Sequence, residues 1–317
     1  MAELIYENQS SVTSFMLVGF TDMPHLHLPL LLAFYLMYIL TITGNGLILV
    51  LVLFHTTLKK PMYFFLCHLA SLDICYTSIT LPNLIWLHSQ SDKHISFAGC
   101  FLQQYLYIAF AVSEYFLLAA MAYDRYVAIC NPLRYSLIMS PKTCLILAQG
   151  CWVTGFVSSS FPVSLSSHFS FCKSHEINHF FCDLTALVKL SCGKNTNIVV
   201  LILVESLVLG LMPFMFTLAS YTIILRTIFS IRVKDGRSKA FSTCASHLTV
   251  VVLFYGTMIV VYIRPPSMYM PDHDKLFALL YTAVIPMINP MIYTLRNGEV
   301  NNIMKKVLNL SFCKVNK

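Results

Sequence analysis

Asp124, Arg125 and Tyr126 close the third long apolar stretch of this chain, inside the run Met121-Ala122-Tyr123-Asp124-Arg125-Tyr126-Val127-Ala128-Ile129-Cys130. Two adjacent charges are costly in lipid but tolerable where a helix meets water, and useful there if something must be switched. Three carboxyls lie deeper in apolar runs: Asp73, Glu114 and Glu205. Ionisable residues at membrane depth are functional candidates by default. Asp73 and Glu114 fall in the inner halves of their runs, where the two could share a cation. Alternatively each is protonated and hydrogen-bonded, because burial disfavours a charged carboxyl. Glu205 is nearer the outer end of the fifth run, two turns before Pro213, with Leu209 on the same face and Ser206 beside it. On the third run Gln104, Tyr107, Ile108 and Ala111 form a stripe at comparable depth. Apolar walls with a few polar groups describe a small-molecule pocket. Helix packing alone accounts for Ile108 and Ala111, but it leaves the Glu205 carboxyl needing a partner.

The elements that must position these groups are long apolar helices. The chain has 317 residues, 57% hydrophobic and 11% charged, and a soluble domain would carry about twice that charge. Expected spans are Pro29–Phe54, Pro61–His88, Cys100–Ala128, Thr143–Ser164, Asn197–Ile231, Ala240–Ile263 and Leu276–Tyr293. The fold class is therefore an all-α membrane protein, a seven-transmembrane bundle in one domain. Residues 1–28 form an outer tail, 29–293 the bundle and 294–317 a cytoplasmic tail. Of 21 Lys and Arg, fifteen fall on one side and six on the other, and the richer side is cytoplasmic. The N-terminus is then extracellular and the C-terminus inside. Orientation alone explains the net charge of +7, so no nucleic-acid partner is needed; membrane lipid is the surrounding medium. No cleavable signal peptide is visible in residues 1–28, so the first helix serves as the insertion signal. Pro82, Pro162, Pro213, Pro286 and Pro290 lie inside spans and favour kinks.

Several features resemble sites of other kinds. Cys172-x2-His175-x3-His179-x2-Cys182 has the spacing of a zinc site. Both cysteines are on the oxidising side, which favours disulfides over thiolate ligands. Cys100, Cys172, Cys182 and Cys192 are the four outer cysteines of eleven, and four permit three pairings. Asn8-Gln9-Ser10 is a glycan acceptor on the outer side, while Asn309-Leu310-Ser311 stays bare inside. Val300, Ile303, Met304, Val307 and Leu308 form one stripe of a short interfacial amphipathic helix. Cys313 beyond it is either a palmitate acceptor or a free thiol. Neither His-Glu-x-x-His nor Gly-x-Ser-x-Gly occurs, so an enzyme is not expected. The lack of inverted repeats counts against a transporter. An opsin needs a lysine deep in helix seven, and Lys275 is only at its outer edge.

Taken in order, these residues resemble a rhodopsin-like G-protein-coupled receptor, and specifically an odorant receptor. Asp124-Arg125-Tyr126 and Asn289-Pro290-x2-Tyr293 look like the signatures of the superfamily. Pro61 to Leu66, Met121 to Tyr135, Lys239 to Leu248 and Pro286 to Asn297 narrow the match, with Gly44-Asn45 and Ser220-Tyr221 in agreement. His179-Phe180-Phe181-Cys182-Asp183 is similar to the tetrapod-type class II branch. Lys59 and Ala70 depart from the usual His and Ser.

The resemblance implies that Cys100 pairs with Cys182 and Cys172 with Cys192. It implies that Asp73 and Glu114 bind sodium as an allosteric ligand, with Asn45 and Asn289 nearby and no other cofactor. A small volatile odorant would sit among helices three, five and six, with Tyr255 at the floor. Val112, Met258, Ile259 and Tyr262 complete that expected pocket. Desolvation favours a neutral Glu205 carboxyl, so a neutral volatile is expected ahead of an amine. Arg125 and Tyr221 would hold open a cytoplasmic cleft for a heterotrimeric stimulatory G protein of the olfactory type, raising cyclic AMP. The protein would be multi-pass in the plasma membrane.

Overall fold

The computed structural model describes residues 12–20, 27–89, 93–171, 175–192, 196–230, 234–262, 271–295, 300 and 303. Some helix side chains, those of Ser206 and Tyr262 among them, fall outside that description. Asn8, Cys172, Cys313 and most of the expected amphipathic tail also lie outside it.

Among the described residues, seven long helices form the bundle: α1 (His27–Phe54), α2 (Pro61–Ser89), α3 (Phe97–Cys130), α4 (Pro141–Ser167), α5, α6 (Lys234–Tyr262) and α7. α5 runs as Thr196–Glu205, a wide π turn over Ser206–Leu211, then Met212–Ser230. α7 repeats the plan, with Pro271–Leu279, a π turn at Leu280–Val284 and Ile285–Leu295. Six segments are long and apolar enough to cross a membrane, and α6 contributes the shorter apolar stretch His247–Val260. Ser96 starts α3 by accepting a hydrogen bond from Gly99 N, and Ser140 starts α4 by accepting one from Thr143 N, with Pro141 following.

The expected spans agree with the helices to within a few residues, except that α6 begins six residues before Ala240 and α7 five before Leu276. Both extensions are polar turns outside the apolar segment, which a hydropathy reading cannot see. Each π turn ends two residues before a proline, Pro213 or Pro286. Proline donates no backbone hydrogen bond and crowds the preceding turn, and a widened turn relieves both.

α3 is the central helix, and the main core gathers around it, from Leu69 and Tyr76 on α2 to Phe254 and Tyr281 on α6 and α7. Large apolar side chains remain exposed on the outward faces, as at Ile39 and Val50 of α1 and Val157 and Phe161 of α4. In a bilayer those faces meet lipid rather than water.

At the Cys100 end three short strands form a sheet that the sequence did not announce. β1 (Ser14–Leu17) lies between β2 (His94–Ser96), antiparallel, and β3 (Glu176–Ile177), parallel. Phe15 and Leu17 of β1 point inward and are buried with Leu87, Phe101, Ile177 and Leu187. Alternating sides of a strand explain that pattern.

Candidate functional site

The cavity begins with the loop that roofs it. Cys100 at the start of α3 is bonded to Cys182 across 82 residues of sequence. Gln103, one turn further on, accepts a hydrogen bond from Cys182 N at 3.1 Å and donates one to Ile79 O at 2.7 Å. Asp183 then caps the short helix Leu184–Leu190, accepting from Thr185 N at 2.9 Å and Ala186 N at 3.2 Å. His179 is buried in the same loop, packed between the rings of Phe180 and Phe181. Its burial pulls its pKa down to about 4; Asp183 opposes the shift and Lys275 adds to it. Cys182 is thus taken by its disulfide and His179 by packing, so the zinc-like spacing assembles no ligand set among the described residues. Cys192 is disulfide-bonded as well.

Beneath this roof lies a mostly apolar cavity enclosing about 840 Å³ of empty space, its open mouth included. α3 lines it with Tyr107, Ile108, Ala111, Val112 and Tyr115. α5 contributes Glu205, Leu209, Gly210, Leu211 and Phe214, and α6 contributes Tyr255, Met258 and Ile259. Asp183 and Leu184 close it from the loop. Nine residues expected from the sequence are therefore brought together. Gln104 is not among them: fully buried outside the cavity, it accepts a hydrogen bond from Ser166 on α4 at 3.4 Å. The side chains of Ser206 and Tyr262 lie outside the described residues.

Tyr115 could have been found by extending the Tyr107–Ala111 stripe one more turn. Gly210 and Leu211 enter the lining where the π turn changes the helical register, which spacing alone does not reveal. Asp183 and Leu184 arrive only because the disulfide folds their loop over the bundle.

Tyr255 lines the cavity from α6. Its hydroxyl donates to the Tyr115 carbonyl at 2.8 Å, tying α6 to α3, and its ring packs on Tyr115 and Phe214 at 5.2 and 4.9 Å. Tyr107 packs on Tyr76 and Phe181, and its hydroxyl is bonded to that of Tyr281 on α7.

Deeper in the bundle is a polar cluster. Asn289 on α7 donates to both oxygens of Asp73 at 3.1 and 3.2 Å, and Asn45 donates to Pro286 O at 3.0 Å. Glu114 is buried beside Asp73, near enough for their charges to interact. Glu114 Oε1 and Asn289 Oδ1 have no hydrogen-bond partner among the described residues. Oxygen acceptors grouped in this way fit a hard cation. Gly44 lets α1 approach α7 at this level, since a Cβ on it would stand 3.2 Å from Pro290.

At the Arg125 end, Asp124 is fully buried and holds Arg125 Nε at 2.9 Å while accepting from the Tyr135 hydroxyl at 2.7 Å. Tyr221 on α5 is hydrogen-bonded to His247 Nδ1 on α6, and both are buried. Tyr126 packs beside Tyr221 and Ile224. The Tyr293 hydroxyl is buried with no partner among the described residues. Charge and spacing do not single out Tyr135 and His247, although both stand inside stretches that carry the family resemblance.

Seven helices around one roofed cavity define a multi-pass membrane protein, and comparison with known proteins gives its kind. The family model described as olfactory receptor matches residues 34–310. The chain belongs to this family of G-protein-coupled receptors, which are not enzymes. It is 44% identical to olfactory receptor 5B21 of Homo sapiens over 303 residues, covering 96% of this chain and 98% of the relative. It is 45% identical to olfactory receptor 5P81 of Mus musculus over 311 residues, covering 97% and 98%. Olfactory receptor 1L4 of Homo sapiens is 44% identical over 302 residues, covering 95% and 97%.

Proposed function

We propose that this receptor binds a small volatile odorant in the cavity between α3, α5 and α6. It then activates a heterotrimeric stimulatory G protein of the olfactory type, raising cyclic AMP. One observation carries the reading: Tyr255 lines the cavity and is also the strut between α6 and α3. A ligand seated there acts on the helix pair that carries Arg125 on α3 and His247 on α6, the latter bonded to Tyr221 of α5. It shifts the bundle only if it binds one arrangement better than another. At the far end, Arg125 leaves Asp124 and faces the G protein, and the Tyr221–His247 contact opens with α6. Asn289, Pro290 and Tyr293 form the α7 part of the same switch, and Tyr126 packs against its α5 side.

Sodium held by Asp73 and Glu114 stabilises the resting bundle. In the plasma membrane the N-terminus is extracellular, with Asn8 glycosylated, and the C-terminal tail is cytoplasmic, its amphipathic helix lying along the membrane. Cys172 pairs with Cys192. The whole chain is one receptor domain of the class II branch, supported by His179-Phe180-Phe181-Cys182-Asp183 in the roof.

The test is a panel of volatiles in cells with a cyclic-AMP reporter, comparing wild type with Arg125→Ala at matched surface expression. Agonist responses present in wild type and absent in the variant are expected. Full signalling by Arg125→Ala would remove the switch assignment, and ligand-driven current in liposomes without a cyclic-AMP response would favour a channel.

A further inference from the structure

We infer that the odorant is a small aliphatic amine, held as its ammonium by Glu205. This rests on the proposed receptor reading only in placing the ligand in this cavity. Glu205 lines the cavity, is half-buried, and makes no hydrogen bond to any described residue. A carboxyl in an apolar wall with no partner among the described residues is an acceptor open to a donor.

The other lining groups sharpen the choice. Among the described lining residues there is no Lys, Arg or His, and the acidic residue besides Glu205 is Asp183, again a carboxyl. Asp183 Oδ1 caps Leu184–Leu190, which leaves Glu205 as the carboxyl on the α5 wall. A carboxylate ligand would meet two carboxyl side chains and no Lys, Arg or His among the described lining residues. A ketone or aldehyde needs a hydrogen-bond donor, and the phenols are mostly spent. Tyr107 is bonded to Tyr281, and Tyr255 donates to the Tyr115 carbonyl. Gln104, the amide expected in this wall, faces α4 instead. The Tyr115 ring reaches toward Gly210, more than a turn along α5 from Glu205. An ammonium brings its own donors and its own charge to Glu205. Phe214, Met258 and Ile259 receive the alkyl tail.

This reverses the preference for a neutral volatile. That preference assumed a carboxyl alone in an apolar site. A cation in the same site restores the charged form, because an opposite charge nearby favours ionisation.

The experiment uses the full-length receptor purified in detergent at pH 7.4 and reads thermal stabilisation. The probes are n-pentyl-, n-heptyl- and cyclohexylamine, each beside the alcohol and carboxylate of the same skeleton. At least one amine should stabilise the protein more than its alcohol, and no carboxylate should. Glu205→Gln should weaken that amine about 10- to 100-fold, the range of a charge-assisted hydrogen bond. Glu205→Asp, which keeps the charge, should retain the preference for amine over alcohol. Equal effects of amine and alcohol, full amine affinity in Glu205→Gln, or no response to any amine would each overturn the inference. Failure of the signalling reading is separate: amines would stabilise the protein yet raise no cyclic AMP in cells.

Discussion

Gly155 on α4 is the tightest helix contact in this bundle that one substitution can probe. A Cβ placed there would stand 2.2 Å from Ser113 Oγ and 2.3 Å from the Ala109 carbonyl oxygen, both on α3. Rotation of Ser113 would relieve the first clash. The second involves backbone inside a helix and cannot rotate away, so α3 and α4 must separate by about 1 Å to restore van der Waals distance. Overpacking of this kind costs about 1–3 kcal/mol. At roughly 2–4 °C per kcal/mol, Gly155→Ala should lower the melting temperature by about 2–12 °C. Gly150 is the control on the same helix, because a Cβ there meets nothing within 4 Å. Gly150→Ala should leave stability unchanged or raise it by about 0.5–1 kcal/mol through helix propensity. Ser113→Ala combined with Gly155→Ala should recover part of the loss and not all of it, since the Ala109 oxygen remains. The assay is thermal unfolding of purified receptor, with surface expression alongside. Equal melting temperatures for Gly155→Ala and Gly150→Ala would refute the close approach of the two helices, and with it the fixed α3 that presents Tyr107, Ala111 and Tyr115 to the cavity.

Three further outcomes are expected. Cys100→Ser and Cys182→Ser should each impair export, since loss of a native bridge costs about 2–5 kcal/mol in small secreted domains. The double variant should be little worse than either single one, and additive defects in export would show that the two do not act as a pair. Sodium in place of choline should raise the melting temperature of wild type, and Glu114→Gln should remove most of that difference; no sodium effect in wild type would leave Asp73 and Glu114 a purely structural pair. His179 has a folded pKa of about 4, below its unfolded value of about 6.5, so its stabilising contribution is complete above pH 6.5 and is lost as pH falls toward 4. At pH 5 the loss is about 2 kcal/mol, and His179→Gln should flatten that part of the stability–pH curve; an unchanged curve would place the titrating group elsewhere.

What could be read in the sequence was whatever one helix decides by itself. Apolar length located the seven spans, and 3.6-residue spacing placed Tyr107, Ile108 and Ala111 on one face and Glu205 with Leu209 on another. Contacts that need two elements were less visible. Gln104 has the spacing of a cavity residue, yet α4 approaches closely enough at that level for Ser166 to bind it. The π turns on α5 and α7 accompany prolines that read as kinks, and a kink does not say which side chains change face. The β1–β2–β3 sheet joins three segments spread from Ser14 to Ile177, and each strand is too short to show periodicity.

The same division separates relay from recognition. The stretches that carry the family resemblance include Asp124, Arg125, His247, Asn289 and Tyr293, which lie in the polar clusters below the cavity and at the Arg125 end. Glu205, Leu209 and Phe214 on the α5 wall belong to none of them. On the proposed reading, the stretches that carry the resemblance bear on how a bound state is relayed, and the α5 wall bears on the ligand. Tyr255 is where the two meet, because one side of its ring contacts Phe214 of the cavity and its hydroxyl holds the α3 backbone at Tyr115. On the proposed reading, a ligand that fills the space beside Phe214 without disturbing that hydrogen bond favours neither arrangement and shifts neither, however tightly it binds. An agonist must therefore extend from Glu205 far enough along α5 to press on Tyr255, so chain length and not head group alone should separate activating amines from silent ones.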